Sequence, residues 1–585
     1  MQLETFVRVA NLSELKSAGP FALSANGADV VLARTSRGWR AFGGRCPHQG
    51  ALLGEGELDG DSLVCRNHRW RFALDSGQRE GGPEFLARCP VAERNGALFV
   101  DVSGLKPSAA RTGATRSLDD LPGPKPLPLL GNLHQLDPTK AHLKMEEWAA
   151  RYGSIYQFWM GRRRIVAMSD PALLEDVLRA RPEIFRRPEN MDRVISELGV
   201  KGVFNAEGEV WRLQRKLFVA ALAQRNIYRL FPSIQIVARR LKTRWERAAN
   251  AGETLDVVEE LKRFTVDITM LIVFGHDANT IEQANDVIQG ELGVVLPAIN
   301  RRLFALVPTW RYVQAPSDRR VNRALLKVRA WLDGLLAEAR ARLMTETERA
   351  QKPSNFLEAM VMTRDENGKP FSNDVIMSNL LTMLIGGEDT TTFTLAWAIH
   401  ELCDSPRWAA EIRREADETF GASVLAGSHE IANRLVCAGA VASETMRLRP
   451  MVPISFHDAN VDTSLGEYII PKQTTVAPLF RPAAIDPANF LDPLAFRPER
   501  WLEDSLRPHN VSAYMPFGSG PRMCPGRSLA LLEMRTLLSL LYKNFDVDRV
   551  GDSADVSELY GVFMSPAGLK VRLRSRRHEA RRLGF

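Results

Sequence analysis

Two groups of thiol and imidazole side chains stand near opposite ends of this 585-residue chain. The first is Cys46-Pro-His48, followed after a gap by Cys65-Arg-Asn-His68. Two cysteines and two histidines so close together are metal ligands by type. A single zinc ion is one reading. Structural zinc, however, usually leaves about two to four residues between paired ligands, and only Pro47 separates Cys46 from His48. In an extended segment, residues i and i+2 point the same way and can serve two adjacent metals. A binuclear centre then takes Cys46 and Cys65 on one ion and His48 and His68 on the other. The second group is built on Cys524, in FGSGPRMCPGRSLALLEMR. A lone cysteine is ordinarily a small buried apolar residue. Here Gly520 and Gly526 let the backbone turn tightly about the sulfur, so that amide hydrogens can approach a thiolate. Phe517 can pack against the loop, and Arg522 adds a cation.

The elements that must position these groups differ sharply in kind. Residues 1–103 read as short strands: FVRVANL, DVVLARTS, GWRAFGG, SLVCRNH, WRFALDS and NGALFVDV, separated by turn formers. That pattern predicts a small β-sandwich or barrel. Residues 104–120 are rich in small and polar residues and read as a linker. Residues 121–575 open on the proline-rich LPGPKPLPLLGN and continue as long helical segments, among them VIMSNLLTMLIGGEDTTTFTLAWAIHEL. Short strand signals such as SIYQFWM and RRIVAMS interrupt them. Residues 576–585 form a basic tail. The fold class is therefore multi-domain: an all-β module, then a mainly α domain with small sheets.

Composition narrows the function classes. The chain is 45% apolar and 25% charged, which is ordinary for globular protein. No apolar run reaches the roughly 18–20 residues of a membrane span, and the N-terminus lacks the pattern of a signal peptide. Six irregularly spaced cysteines suit a reducing cytoplasm better than a disulfide framework. The 12 basic and 12 acidic residues of 1–101 cancel, so the net charge of +7 belongs to the remainder. No basic patch interleaved with aromatics points to nucleic acid, and the tail reads as solvated charge. The glycines of GEGELDG mimic a dinucleotide fingerprint, but they lie between two metal loops and read as hairpin turns. With no flavin or nicotinamide motif elsewhere, the chain is not expected to take electrons from NAD(P)H by itself.

The front stretch resembles the Rieske pattern, in which two histidines replace two cysteines on one iron of a [2Fe-2S] cluster. Trp70, Phe72 and the later GGP fit the resemblance. High-potential members carry an extra cysteine pair at positions that here are Ala51 and Asn67, so a lower-potential, ferredoxin-like carrier is implied. Arg69 departs from the glycine often found there. Cys89 reads as a core residue, not a ligand.

The rear stretch resembles the cysteine-ligand loop of the cytochrome P450 family, which implies haem b with Cys524 on the iron and Arg522 on a propionate. Other motifs follow in the family's order. Asp389 and Thr390, in IGGEDTTT, match its acid–alcohol pair for proton delivery to dioxygen. Trp211 and Arg215, in EVWRLQR, match its propionate-binding helix. His457 lies where it often places another propionate partner. Glu444 and Arg447, with Arg500, match its structural ion network. The resemblance covers residues 121 to about 575. Together the two resemblances imply a haem-thiolate monooxygenase that inserts one atom of O2 into a lipophilic organic substrate. Its electrons would come from an external NAD(P)H-dependent ferredoxin reductase through the fused cluster. By position, Met191–Val203, Met383–Gly386, Val452–Ser455 and Val562–Met564 are expected to line the pocket, with Phe304–Trp310 as an entrance loop or core. Three rivals are a Rieske non-haem oxygenase, a peroxide-using haem enzyme and a redox sensor. The first needs two histidines and a carboxylate on one iron, and the histidines outside the front motif offer no such pair.

Overall fold

ADVVLART, residues 28–35, holds the apolar run 30–33, because its strand is covered on both faces. Val30 and Leu32 enter one apolar cluster, while Val31 and Ala33 enter another. This is the period-2 alternation of a strand with a core on each side. The computed structural model describes residues 6–576 apart from 13–14, 16–17, 26–27, 48–51, 66–69, 83, 106–113, 284–289, 292, 296–297, 299–300, 303–307, 314, 346–351, 366–367 and 503–510. The chain divides into two units: Met1–Arg116 with Ser464–Tyr468, and Ser117–Thr463 with Ile469–Phe585.

In the first unit the described strands are β1 (Phe6–Asn11), β2 (Phe21–Ala25), β3 (Ala28–Thr35), β4 (Gly38–Gly43), β5 (Glu57–Asp59), β6 (Ser62–Val64), β7 (Arg71–Ala73), β8 (Arg88–Cys89), β9 (Val91–Arg94) and β10 (Ala97–Asp101). They form three sheets, ordered β1-β10-β9, β2-β3-β4-β8 and β5-β6-β7. Leu98 and Val100 of β10 pack with Val30, Leu32 and Cys89 in one core. On the opposite face, Val31 and Phe42 pack with Leu63, Phe72 and Leu74. Of the dinucleotide mimic's glycines, Gly60 turns the β5–β6 hairpin at φ +59°, where Asp59 lies opposite Ser62, whereas Gly54 belongs to a short helical turn, Leu53–Glu55, ahead of it.

The second unit is mainly helical. Six of its helices position the site: α1 (Gly208–Ala221), α2 (Val257–Thr269), α3 (Asn373–Gly387), α4 (Asp389–Cys403), α5 (Val436–Leu448) and α6 (Arg527–Asn544). A five-stranded sheet flanks them, built from β11 (Ile155–Met160), β12 (Arg163–Met168), β13 (Phe185–Arg186), β14 (His457–Ala459) and β15 (Thr475–Pro478), in the order β11-β12-β15-β14-β13. Only β12 and β15 among these neighbours run parallel.

Two helices differ from the pattern read in sequence. The apolar run from Val375 to Leu402 predicts one helix, but it breaks at Glu388, where ψ falls to −72°. Two adjacent glycines weaken the helix there, and the Thr390 hydroxyl donates to the Gly386 carbonyl at 2.9 Å, a back-bond that bends helices. The segment SLALLEMRTLLSLL reads as an amphipathic helix, and it forms helix α6. From Leu532 to Asn544 it is buried apart from Arg535. Inside the core the Thr536 hydroxyl donates to the Leu532 carbonyl at 2.7 Å.

Helix α5 is tied to the following segment by a buried ion network. The Glu444 carboxylate accepts from Arg447 at 2.7 and 2.9 Å, from Arg500 at 3.3 Å, from the Trp501 indole at 3.0 Å and from the Arg497 amide at 2.9 Å. Glu444, Arg447 and Arg500 are all 0% exposed.

Candidate active site and metal centres

In the first unit, Cys46 follows β4 and Cys65 follows β6. The Leu53 amide reaches back to the Gly44 carbonyl at 2.8 Å, closing the chain after Cys46. Gly44 has no space for a side chain, since a Cβ would sit 2.8 Å from the Asp29 carbonyl carbon. The Cys65 amide donates to the Trp70 carbonyl at 2.8 Å, closing the second loop. Both cysteines are buried in the same apolar cluster, with Phe42, Leu63 and Phe72. The Arg79 guanidinium lies 3.6 Å over the Trp70 ring. Two buried thiols at the feet of two closed loops suit a soft metal centre such as an iron–sulfur cluster. His48 and His68 lie outside the described residues, as do Ala51, Asn67 and Arg69. Cys89 belongs to the other core, and burial pushes its thiol up to about 11.

In the second unit, Cys524, Asp389, Thr390, Trp211, Arg215, His457, Phe517, Arg522 and Gly526 all line one cavity of about 1400 Å³. That exceeds the roughly 300–1,000 Å³ of ordinary small-molecule sites, leaving room for a flat cofactor and a substrate together. Cys524 precedes α6 in a loop pinned by its own amide, which donates to the Phe517 carbonyl at 2.9 Å. The tight turn there is made by Gly518 and Gly520, at φ +73° and +70°. A Cβ on Gly520 would also meet the Arg179 Cα at 2.7 Å. Gly526 was expected to share this task. Instead it has an ordinary helical φ of −80°, and a Cβ there would lie 3.8 Å from the Cys524 sulfur.

One end of the cavity concentrates positive charge. Arg522 donates to the Ala206 carbonyl at 2.6 Å, pairs with Glu207 and stacks 4.6 Å over the Trp211 ring. Its Nε and Nη1 are buried without a hydrogen-bond partner among the described residues. So are Nε and Nη2 of Arg181 and Nδ1 of His457. His457 is buried, and its Nε2 meets the Ser455 hydroxyl at 3.0 Å. Burial, then the charges of Arg181, Arg187 and Arg522, hold its imidazole well below the ordinary range, so it is neutral. Burial and the mutual repulsion of the arginines likewise depress Arg187 to about 9. Cations packed this way, with donors unspent, call for an anionic guest. A haem, with its two propionate carboxylates, fits in charge, size and donor set. Arg181 and Arg187 escape sequence reading: arginine is ordinarily a surface residue, and nothing local in RARPEIFRRPEN distinguishes a buried one.

The apolar wall includes Met191, Ile195, Val200, Val203, Val452 and Ile454, along with Met383, Val562 and Phe563. Met564 instead points into a separate core with Trp397. Trp310 donates to Glu197 at 2.9 Å and is not part of the lining; residues 303–307 lie outside the described residues. Asp389 borders the cavity at the start of α4. Burial raises its carboxyl, and Lys262 of α2 opposes that shift. No helix of the described residues is long and apolar enough to cross a membrane.

Comparison with known proteins gives two family matches. The model described as "Cytochrome P450" matches residues 121–573, and that described as "Rieske [2Fe-2S] domain" matches residues 5–90. Among similar proteins, LUTEIN DEFICIENT 5, chloroplastic, of Arabidopsis thaliana is 25% identical, covering 80% of this chain and 78% of its own length. The rat (Rattus norvegicus) mitochondrial 25-hydroxyvitamin D-1 alpha hydroxylase is 28% identical, covering 74% and 89%. Self-sufficient cytochrome P450 monooxygenase CYP505E5 of Aspergillus kawachii is 25% identical over 79% of this chain but only 44% of its own length. The crystal structure of the cytochrome P450DA heme domain superposes with a TM-score of 0.71 at 23% identity, covering 79% and 99%. At that identity the likeness concerns fold alone.

Proposed function

This chain belongs to the cytochrome P450 family and carries a Rieske [2Fe-2S] domain, and on that premise we propose that it is a monooxygenase carrying its own last electron donor. As a cytochrome P450 monooxygenase with haem and a [2Fe-2S] cluster, it acts with O2 on a lipophilic substrate. Residues 1–103 serve as the electron carrier, 104–120 as linker and 121–575 as the haem domain. The electrons come from an external NAD(P)H-dependent ferredoxin reductase.

The chemistry that the haem supplies when bound is O2 activation at a thiolate-ligated iron. The chain's own groups divide the remaining tasks. Cys524 provides the thiolate, and Phe517 packs against its loop. Arg522, Arg215, Trp211 and neutral His457 hold the propionates, with Arg181 and Arg187 balancing charge around them. The apolar wall binds the substrate and excludes water. Asp389 and Thr390 would hold and pass protons at the cavity wall, since the reaction consumes two protons with its two electrons. Cys46, Cys65, His48 and His68 hold the cluster. Linking the carrier to the haem domain keeps its effective concentration near the millimolar range for a short flexible linker.

The observation that carries this reading is the shared cavity: Cys524, the Asp389–Thr390 pair and the buried cations line one space. The test combines the full-length holoenzyme, NADPH, a ferredoxin reductase and carbon monoxide. The expected result is a reduced carbon-monoxide spectrum of a thiolate haem, appearing after the cluster's reduced paramagnetic signal. A reduced cluster beside a haem that stays oxidised would sink the electron relay.

A further inference from the structure

We propose that Glu388, with Lys262, forms the link between solvent and the Asp389–Thr390 pair, acting through Asp389 as a proton relay. This rests on reading Asp389 and Thr390 as the proton-delivering pair. Glu388 sits at the break between α3 and α4, where the chain leaves ideal helix geometry at ψ −72°. It is 7% exposed, and its Oε1 is buried without a hydrogen-bond partner among the described residues. A structural carboxylate would spend that oxygen on a cap or an ion pair. Glu388, Asp389, Thr390 and Lys262 line the same cavity. Glu259, one turn before Lys262 on α2, also lines it and is exposed. The side chains therefore grade from solvent (Glu259) through a half-buried ammonium (Lys262) to the buried Glu388 carboxyl, with Asp389 half-buried next to it in the chain.

The charged groups acting on Glu388 are Asp389 on its own segment and Lys262 on α2. Burial and the like charge of Asp389 push its carboxyl up to about 8, and Lys262 pulls it partly back. Two coupled acids in such a site retain a proton at neutral pH. The Thr390 hydroxyl donates to the Gly386 carbonyl, which leaves its oxygen lone pairs available as acceptors. The balance is simple. A proton passed on by Asp389 is replaced from Glu388, Glu388 is recharged by the Lys262 ammonium, and the neutral amine takes a proton from bulk water.

The test uses the holoenzyme with its reductase and measures product formed per NAD(P)H consumed, against pH. In the wild type this ratio is expected to fall as pH rises through about 8, because the relay loses its stored proton. Glu388→Gln should lower the ratio about tenfold and abolish that alkaline limb. The loss is smaller than the roughly 100-fold or more expected for a direct general acid, and hydrogen peroxide should rise in proportion. Glu388→Asp should restore part of both. Lys262→Met should lower the ratio too, because Glu388 loses the group that recharges it, and should move the limb to higher pH, since Lys262 favours the ionised form. Infrared difference spectra of the resting enzyme, without turnover, should show a protonated carboxyl band that titrates with the limb and shifts in Glu388→Asp. Wild-type ratio and limb in Glu388→Gln overturn the proposal. If that variant does not fold, a wild-type carboxyl band that fails to titrate near the limb, or fails to shift in Glu388→Asp, overturns it instead. Asp389→Asn and Thr390→Ala run alongside. If neither uncouples, the acid–alcohol reading itself is wrong; if both uncouple and Glu388→Gln does not, only the relay is wrong.

Discussion

Arg181 should show opposite effects with and without the haem. In the apoprotein it is a buried cation repelled by Arg187 and Arg522, with two unspent donors. Replacing it by leucine removes that penalty, so apo Arg181→Leu should be more stable by about 1 kcal/mol in urea denaturation. The same change would remove one of the cations that balance the propionate charge. Haem affinity should fall by about 2 kcal/mol or more, roughly 30-fold, measured as faster transfer to a haem-scavenging globin. A decrease in apo stability would contradict the charge balance. His457 gives a pH signature in the same apoprotein. Its folded-state imidazole is held well below the ordinary value, whereas the unfolded chain takes up a proton near pH 6.5. Stability from this group is therefore present above about pH 6.5 and declines as pH falls below it, by up to about 1.4 kcal/mol per unit. His457→Asn should flatten that slope. The types of these residues were readable in sequence. Arg181 and Arg187 as site groups were not, because burial of a guanidinium depends on distant segments, not its neighbours.

At the scale of elements, the break at Glu388 and the Glu444 network play different parts. The break comes from local chemistry, two glycines and a threonine back-bond, and it brings Glu388 and Asp389 to the cavity wall. The apolar periodicity of Val375–Leu402 overrides such cues when read alone, which is why one helix was expected. The Glu444 network is an interior fastening for α5. Glu444→Gln leaves Arg447 and Arg500 buried without their counter-charge, and should cost about 3–5 kcal/mol in urea denaturation. Haem held by the surviving folded fraction should keep a normal carbon-monoxide spectrum, since Glu444 does not line the cavity. The Cys524 loop was legible as a loop. Its division of labour was not: positive φ falls on Gly518 and Gly520, not on Gly526, and only the packing of Gly520 against Arg179 explains the demand.

At the scale of the whole molecule, the chain joins an electron-carrier module to an oxygenase domain. Cys65→Ser should remove the cluster's paramagnetic signal while dithionite-reduced haem still gives the thiolate carbon-monoxide spectrum. NAD(P)H-driven turnover should then fall by about 100-fold, the lower end of what tethering contributes. Turnover that survives loss of the cluster would mean the reductase feeds the haem directly.

By itself, the sequence determined the two chemistries and their order along the chain. Ligand type, ligand spacing and glycine placement are local properties, and Cys46, Cys65 and Cys524 could be singled out from a few neighbours each. Strand alternation and helix periodicity likewise separated an all-β module from a mainly α domain. The tertiary structure decided what depends on distant segments. It gathered Arg181, Arg187, Arg522 and His457 at one cavity, and it brought Glu388 and, from another helix, Lys262 to the wall of that same cavity. Desolvation and unpaired charge belong to a buried volume, and a volume is defined only once the chain has closed around it.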